Sequence, residues 1–125
     1  MKKEISTANA PESIGPYSQG IKKGNTIFLS GQLGINPEKK ELVSGGVIAE
    51  THQIFKNIKA VLKEEDSTFD DIVKVTVLLK DMEDFKKVNE VYSQYFNKPY
   101  PARSVFAVKE LPLSVSIAIE VIAMK

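Results

Sequence analysis

Arg103 stands at the end of a proline-braced run, Pro99-Tyr100-Pro101-Ala102-Arg103, and opens the alternating segment Arg103-Ser104-Val105-Phe106-Ala107-Val108. Each proline fixes its own φ and drives the residue before it, Lys98 or Tyr100, into extended backbone, so the chain reaches Arg103 stiffly. A guanidinium presented that way suits a carboxylate or phosphate, which its planar fork can grip through two parallel N–H bonds. Period-2 alternation places Val105 and Ala107 on the face of Arg103. The competing role is an edge-strand arginine paired with a surface acid. Other chemical resources are few. The single histidine, His52, falls beside an apolar helical stripe and reads as a boundary residue. There is no cysteine, so disulfides, thiolate catalysis and soft-metal sites are excluded, and one histidine cannot build a histidine metal cluster.

The elements that must position Arg103 can be read in chain order. Ile14-Gly15-Pro16-Tyr17-Ser18-Gln19-Gly20 contains a rigid Gly-Pro turn that aims Tyr17 into a predicted strand from Tyr17 to Lys22. Lys23-Gly24-Asn25 then turns the chain into a β-branched and aromatic strand, Thr26 to Ser30, giving an early hairpin. That strand ends at Ser30-Gly31-Gln32, where glycine marks a bulge or a close approach to the backbone. After the polar turn Asn36-Pro37-Glu38-Lys39-Lys40, a helix is predicted from Ile48 to Glu65. Its stripe is Thr51, Ile54, Phe55, Ile58, Val61 and Leu62.

A strand from Ile72 to Lys80 follows, with Val73, Val75, Val77 and Leu79 predicted as its core face and Ile72 and Leu78 beside Lys74 and Thr76 on the other. Asp81 has the form of an N-cap with Asp84 in the capping-box position, opening a second helix that runs to Phe96. Phe85, Val88, Val91, Tyr92, Tyr95 and Phe96 are its buried stripe. Asn89 falls within it, and a buried amide must be hydrogen-bonded to backbone or to a bound molecule. The last strand, through Val115, Ile117, Ile119 and Val121, is apolar on both faces, since Ala118, Ile122 and Met124 occupy the other. Two helices cover one face of a sheet, so the other face needs a partner.

The 125 residues make one domain, 1–125, large enough to bury a core without disulfides. Seventeen basic residues against sixteen acidic, with no like-charge run, argue against a dedicated nucleic-acid or membrane surface. The basic start lacks a following apolar segment and no stretch approaches membrane-spanning length, so a soluble cytoplasmic protein is expected.

Gly15-Pro16-Tyr17, Ser30-Gly31-Gln32, Asn89 and Pro101-Ala102-Arg103-Ser104, in this order and spacing, resemble the RidA (YjgF) family of reactive-intermediate deaminases over nearly the whole chain. The resemblance implies an α+β, chorismate-mutase-like fold: a mainly antiparallel sheet with two helices on one face, assembled as a homotrimer with ligand clefts at subunit interfaces. It also implies cofactor-free hydrolysis of enamines and imines, chiefly 2-aminoacrylate and 2-iminopropanoate, to 2-oxo acid and ammonia. In that reading Arg103 pairs with the substrate carboxylate, and backbone at Arg103 and Val105 holds the imine nitrogen. Gly31 approaches from the other side, Ser30 and Asn89 shape the pocket, and Tyr17 offers its hydroxyl.

Two departures stand out. Deaminase members of the family carry a water-positioning glutamate where this chain has Ala118. Glu120 shares its strand face but lies about 6.6–6.8 Å further along, a distance that requires a relaying water if Glu120 is to act catalytically. Val105 stands where the family often has cysteine. Two other readings follow: a module that binds 2-oxo or imino acids through Arg103 without turning them over, and the ribonuclease or translation-inhibitor activity attributed to some relatives. The near-neutral charge and lone histidine leave nucleic-acid cleavage the least supported.

Overall fold

The computed structural model describes all 125 residues. Strands β1 (Lys3–Ile5), β2 (Gly20–Lys23) and β3 (Thr26–Leu29) form an antiparallel meander. A small hairpin of β4 (Ile35–Asn36) and β5 (Glu41–Leu42) leads to helix α1 (Gly46–Lys63). Strand β6 (Ile72–Leu79), helix α2 (Phe85–Tyr92) and strand β7 (Ala102–Ala107) form a crossover unit, and β8 (Ile117–Met124) closes the chain. The main sheet has the order β1-β2-β3-β8-β6-β7, antiparallel except for the parallel pair β6 and β7. This is the expected α+β architecture, with β7 at the sheet edge.

One hydrophobic core lies between the sheet and the two helices. Thr51, Ile54, Phe55, Ile58, Val61 and Leu62 of α1 are all fully buried, as their 3.6-residue spacing predicts. They meet Val75, Val77, Leu79, Ile117, Ile119 and Val121 from the sheet. The opposite sheet face carries no helix, and Phe28 and Phe106 are 46% and 54% exposed there.

Four boundary readings are corrected. The strand expected from Tyr17 begins only at Gly20, because Ser18 and Gln19 give carbonyls to Ser30 instead of a ladder. On β6 the register shifts between Ile72 and Lys74, leaving Val73 unpaired. That bulge inverts the alternation before it, so Ile72 is buried and Val73 is 42% exposed. The second helix ends at Tyr92 rather than Phe96, the chain continuing through tighter turns at Gln94 and Tyr95. At its start a 3-10 turn over Met82–Asp84 intervenes, capped by Asp81, whose Oδ1 accepts the Glu83 N–H at 2.9 Å. Asp84 makes no side-chain cap bond.

Candidate functional site

Arg103 is held by one face of α2. Phe85, Asn89 and Tyr92 recur at i, i+4 and i+7, so they form a single stripe along that helix. The guanidinium carbon lies 4.7 Å from the Tyr92 ring centroid and 5.4 Å from that of Phe85, and Nη1 donates to Asn89 Oδ1 at 2.7 Å. Asn89 is exposed rather than buried, and its Oδ1 accepts from Arg103. Asn89 lies on the stripe predicted as buried, but that stripe is not wholly core, since at Asn89 it faces Arg103.

Arg103 is the only arginine of the chain, and neither of the two ion pairs involves it. A guanidinium has five N–H donors, and here the one hydrogen bond it makes is to Asn89. The unengaged edge opens into a cleft of about 450 Å³ lined by Asn89, Tyr92, Ser93, Tyr100, Pro101 and Arg103. A half-buried cation with free, coplanar donors in such a cleft has the geometry to accept a small carboxylate. Val105, two residues on, shares the face of Arg103 and packs half-buried on the core. Because β7 is an edge strand, the backbone groups directed away from β6 lack a ladder partner and are open to a ligand.

The remaining predicted site residues gather elsewhere. Ser30 Oγ donates to the Ser18 carbonyl at 2.6 Å, and its N–H bonds the Gln19 carbonyl at 3.0 Å. Gly31 is exposed, and a Cβ there would meet nothing within 4 Å. The bridge of Gln32 with Ile119 brings the Ser30-Gly31 segment alongside Glu120. Tyr17 is half exposed, its hydroxyl accepting the Ile14 N–H at 3.3 Å. Glu120 pairs with Thr76 and lines a smaller cleft, about 230 Å³, with Phe28, Lys74 and Ile122.

Residues paired across β7, β6 and β8 point to one side of the sheet. Arg103, Val75 and Val121 share the helix side, while Ser104, Thr76 and Glu120 share the open side. Within one chain the candidates thus divide into two groups: Arg103, Asn89 and Val105 in one, and Tyr17, Ser30, Gly31 and Glu120 in the other. Ala118 pairs with Leu78 on the open side and is 94% buried, at 6% exposure.

Two structural residues escaped the sequence reading. Gln19 is buried, donating from Nε2 to the carbonyls of Thr7 (3.0 Å) and Pro11 (2.7 Å) while its Oε1 accepts the Thr7 N–H at 2.7 Å. It pins the N-terminal segment beside the Tyr17 turn. Glu50, buried on α1, accepts the Ser116 N–H at 2.9 Å and so fixes the entry to β8. A polar residue in a loop or helix carries no sequence signal for such long-range bonds. His52 is half-buried with Nδ1 2.7 Å from the Tyr95 hydroxyl, outside both groups. No helix is long and apolar enough to cross a membrane, and no group of three or more His, Cys, Asp or Glu side chains could hold a metal ion.

An α+β sheet with one helical layer, an edge-strand arginine and an uncovered opposite face defines the class. Residues 7–125 match the family model described as Endoribonuclease L-PSP. The chain is similar to a RutC family protein of Pyrococcus horikoshii, 50% identical and covering 100% of this chain and 99% of the relative. It is 46% identical to the human 2-iminobutanoate/2-iminopropanoate deaminase, over 100% of this chain and 91% of that protein. Its structure is similar to that of the E. coli YjgF gene product, with a TM-score of 0.93, 44% identity and 98% of each chain covered. The chain belongs to the RidA (YjgF) family.

Proposed function

We propose that this protein hydrolyses short 2-imino acids and their enamine tautomers to 2-oxo acids and ammonia. The observation that carries the reading is the unengaged guanidinium edge of Arg103 facing a cleft, in a chain 46% identical to a relative named for imine deamination. Arg103 grips the substrate carboxylate, each charge-assisted bond contributing roughly 1.5–3 kcal/mol. Water adds to the C=N carbon, the carbinolamine collapses, and nitrogen leaves as ammonia while the carbon becomes the 2-oxo group. An iminium carbon is already electrophilic, so orientation of substrate and water supplies most of the acceleration. No cofactor enters this scheme.

The working form in this reading is a homotrimer. The exposed Phe28, Phe106 and Met124 on the open sheet face support it, as does the division of the candidate residues into two groups. A subunit boundary that sets the Tyr17, Ser30, Gly31 and Glu120 group of one copy against the Arg103, Asn89 and Val105 group of the next completes one cleft. Backbone at Arg103 and Val105 then holds the imine nitrogen.

Ala118 favours a second reading, a module that binds 2-oxo or imino acids without turnover. Loss of a general acid or base costs on the order of 10²–10⁴ in rate. Pyruvate release from 2-aminoacrylate, generated in place by a serine dehydratase, separates the two. Turnover above the spontaneous rate, lost in Arg103→Ala, supports the deaminase. A silent native protein rescued by Ala118→Glu supports the binding module.

A further inference from the structure

We infer that Tyr92 is a positioning residue for Arg103, its ring face fixing the plane of the guanidinium so that the free edge meets a carboxylate already oriented. The inference rests on the reading of Arg103 as the substrate anchor. The guanidinium carbon is 4.7 Å from the Tyr92 centroid, inside the range where a cation is held by the ring quadrupole. The ring itself cannot yield. It is 6% exposed, stacked on Phe96 at 4.5 Å with a 30° interplanar angle, and set edge-on to Phe55 at 6.1 Å. Asn89 fixes rotation within the plane by accepting from Nη1, and Phe85 lies against the guanidinium from one turn earlier on α2. An arginine otherwise surrenders its rotamer freedom when it binds, so a cradle that removes this freedom beforehand increases affinity.

The hydroxyl of Tyr92 has no part in the cradle. It is buried with no hydrogen-bond partner, and burial raises its pKa above the ordinary tyrosine value, opposed by the Arg103 charge. The acting group is therefore the ring face, and Tyr92→Phe retains it.

The test titrates 2-oxobutanoate against the native protein, Tyr92→Phe, and a series with mono-, di- and trifluorophenylalanine at position 92, which weakens the ring quadrupole while keeping the shape. Tyr92→Phe binds within about twofold of native. Fluorination raises the dissociation constant stepwise, by about 5- to 30-fold in total, and raises KM for the imine with kcat unchanged. A flat series, or a loss in Tyr92→Phe as large as that of the trifluoro variant, overturns the inference. Arg103→Ala is titrated alongside. If it binds as well as native, the anchor reading has failed; if it loses binding while the series stays flat, only the role of Tyr92 has failed.

Discussion

Arg103 and Glu120 lie on opposite sides of the same sheet: Arg103 pairs in register with Val75 and shares its helix side, whereas Glu120 pairs with Thr76 and points to the open side. Two side chains so placed cannot serve one small substrate within a single chain. The arginine is left with its cradle on α2, and the carboxylate is left beside Gly31 and the uncovered apolar surface. In the proposed reading a second copy completes the site across that separation.

Replacing Arg103 by lysine keeps the charge and removes the fork. A point-like ammonium cannot make two parallel bonds to a carboxylate. Losing one charge-assisted bond of about 1.5–3 kcal/mol predicts kcat/KM lower by roughly 10- to 100-fold in Arg103→Lys, with an unchanged thermal midpoint. Steady-state kinetics with 2-iminopropanoate, beside a melting curve, is the check.

The open sheet face is tested at Phe106, more than half exposed in the single chain. Phe106→Glu removes no core contact, so each chain keeps its helix and sheet content. In the proposed trimer this face joins copies, and a charge placed on it opposes assembly. Sedimentation should show the native protein as a trimer and the variant at one third of that mass, with deaminase activity lost together with the assembly.

How much of this was legible in the sequence depends on how local the cause is. The stripe of α1 and the alternation of β8 were readable because burial repeats with the element's own period. Val73 was misassigned because a single unpaired residue inverts a period-2 pattern, and nothing in Ile72-Val73-Lys74 announces a bulge. Asn89 was noticed as a polar residue on an apolar stripe. Its partner, Arg103, comes fourteen residues later on another element, so its exposed position could not be read from the helix alone. Gln19 is the clearest omission, since its bonds reach back to Thr7 and Pro11.

That omission carries a prediction. Gln19→Leu is close in volume but leaves the Thr7 N–H and the Pro11 carbonyl without partners, each costing about 1–3 kcal/mol when desolvated. Urea unfolding should register a loss of roughly 2–6 kcal/mol, and amide exchange should accelerate through residues 7–14. Tyr17 then loses its fixed turn and KM rises.

Alkaline stability tests the buried tyrosines. Burial raises the pKa of Tyr92 and of Tyr95 in the fold, while the unfolded chain ionises its tyrosines near pH 10. The folded state therefore holds these protons more tightly. The associated stability is fully present below about pH 10 and is lost as pH rises through the folded values. Tyr92→Phe should flatten that decline, and at neutral pH should be as stable as native or more so, because it removes a buried hydroxyl that has no partner. Urea midpoints between pH 8 and 11 make the comparison.

The most direct measurement is the crystal structure of the protein soaked with pyruvate. The account predicts the carboxylate on the free edge of Arg103, both oxygens within hydrogen-bonding distance of guanidinium nitrogens. Tyr92 and Phe85 should keep their places, and the Ser30-Gly31 segment of a neighbouring copy should close the cleft. Pyruvate bound instead beside Lys74 and Glu120, or in the cavity between Ile14, Ile35 and Leu113, with the Arg103 edge left empty, would contradict it.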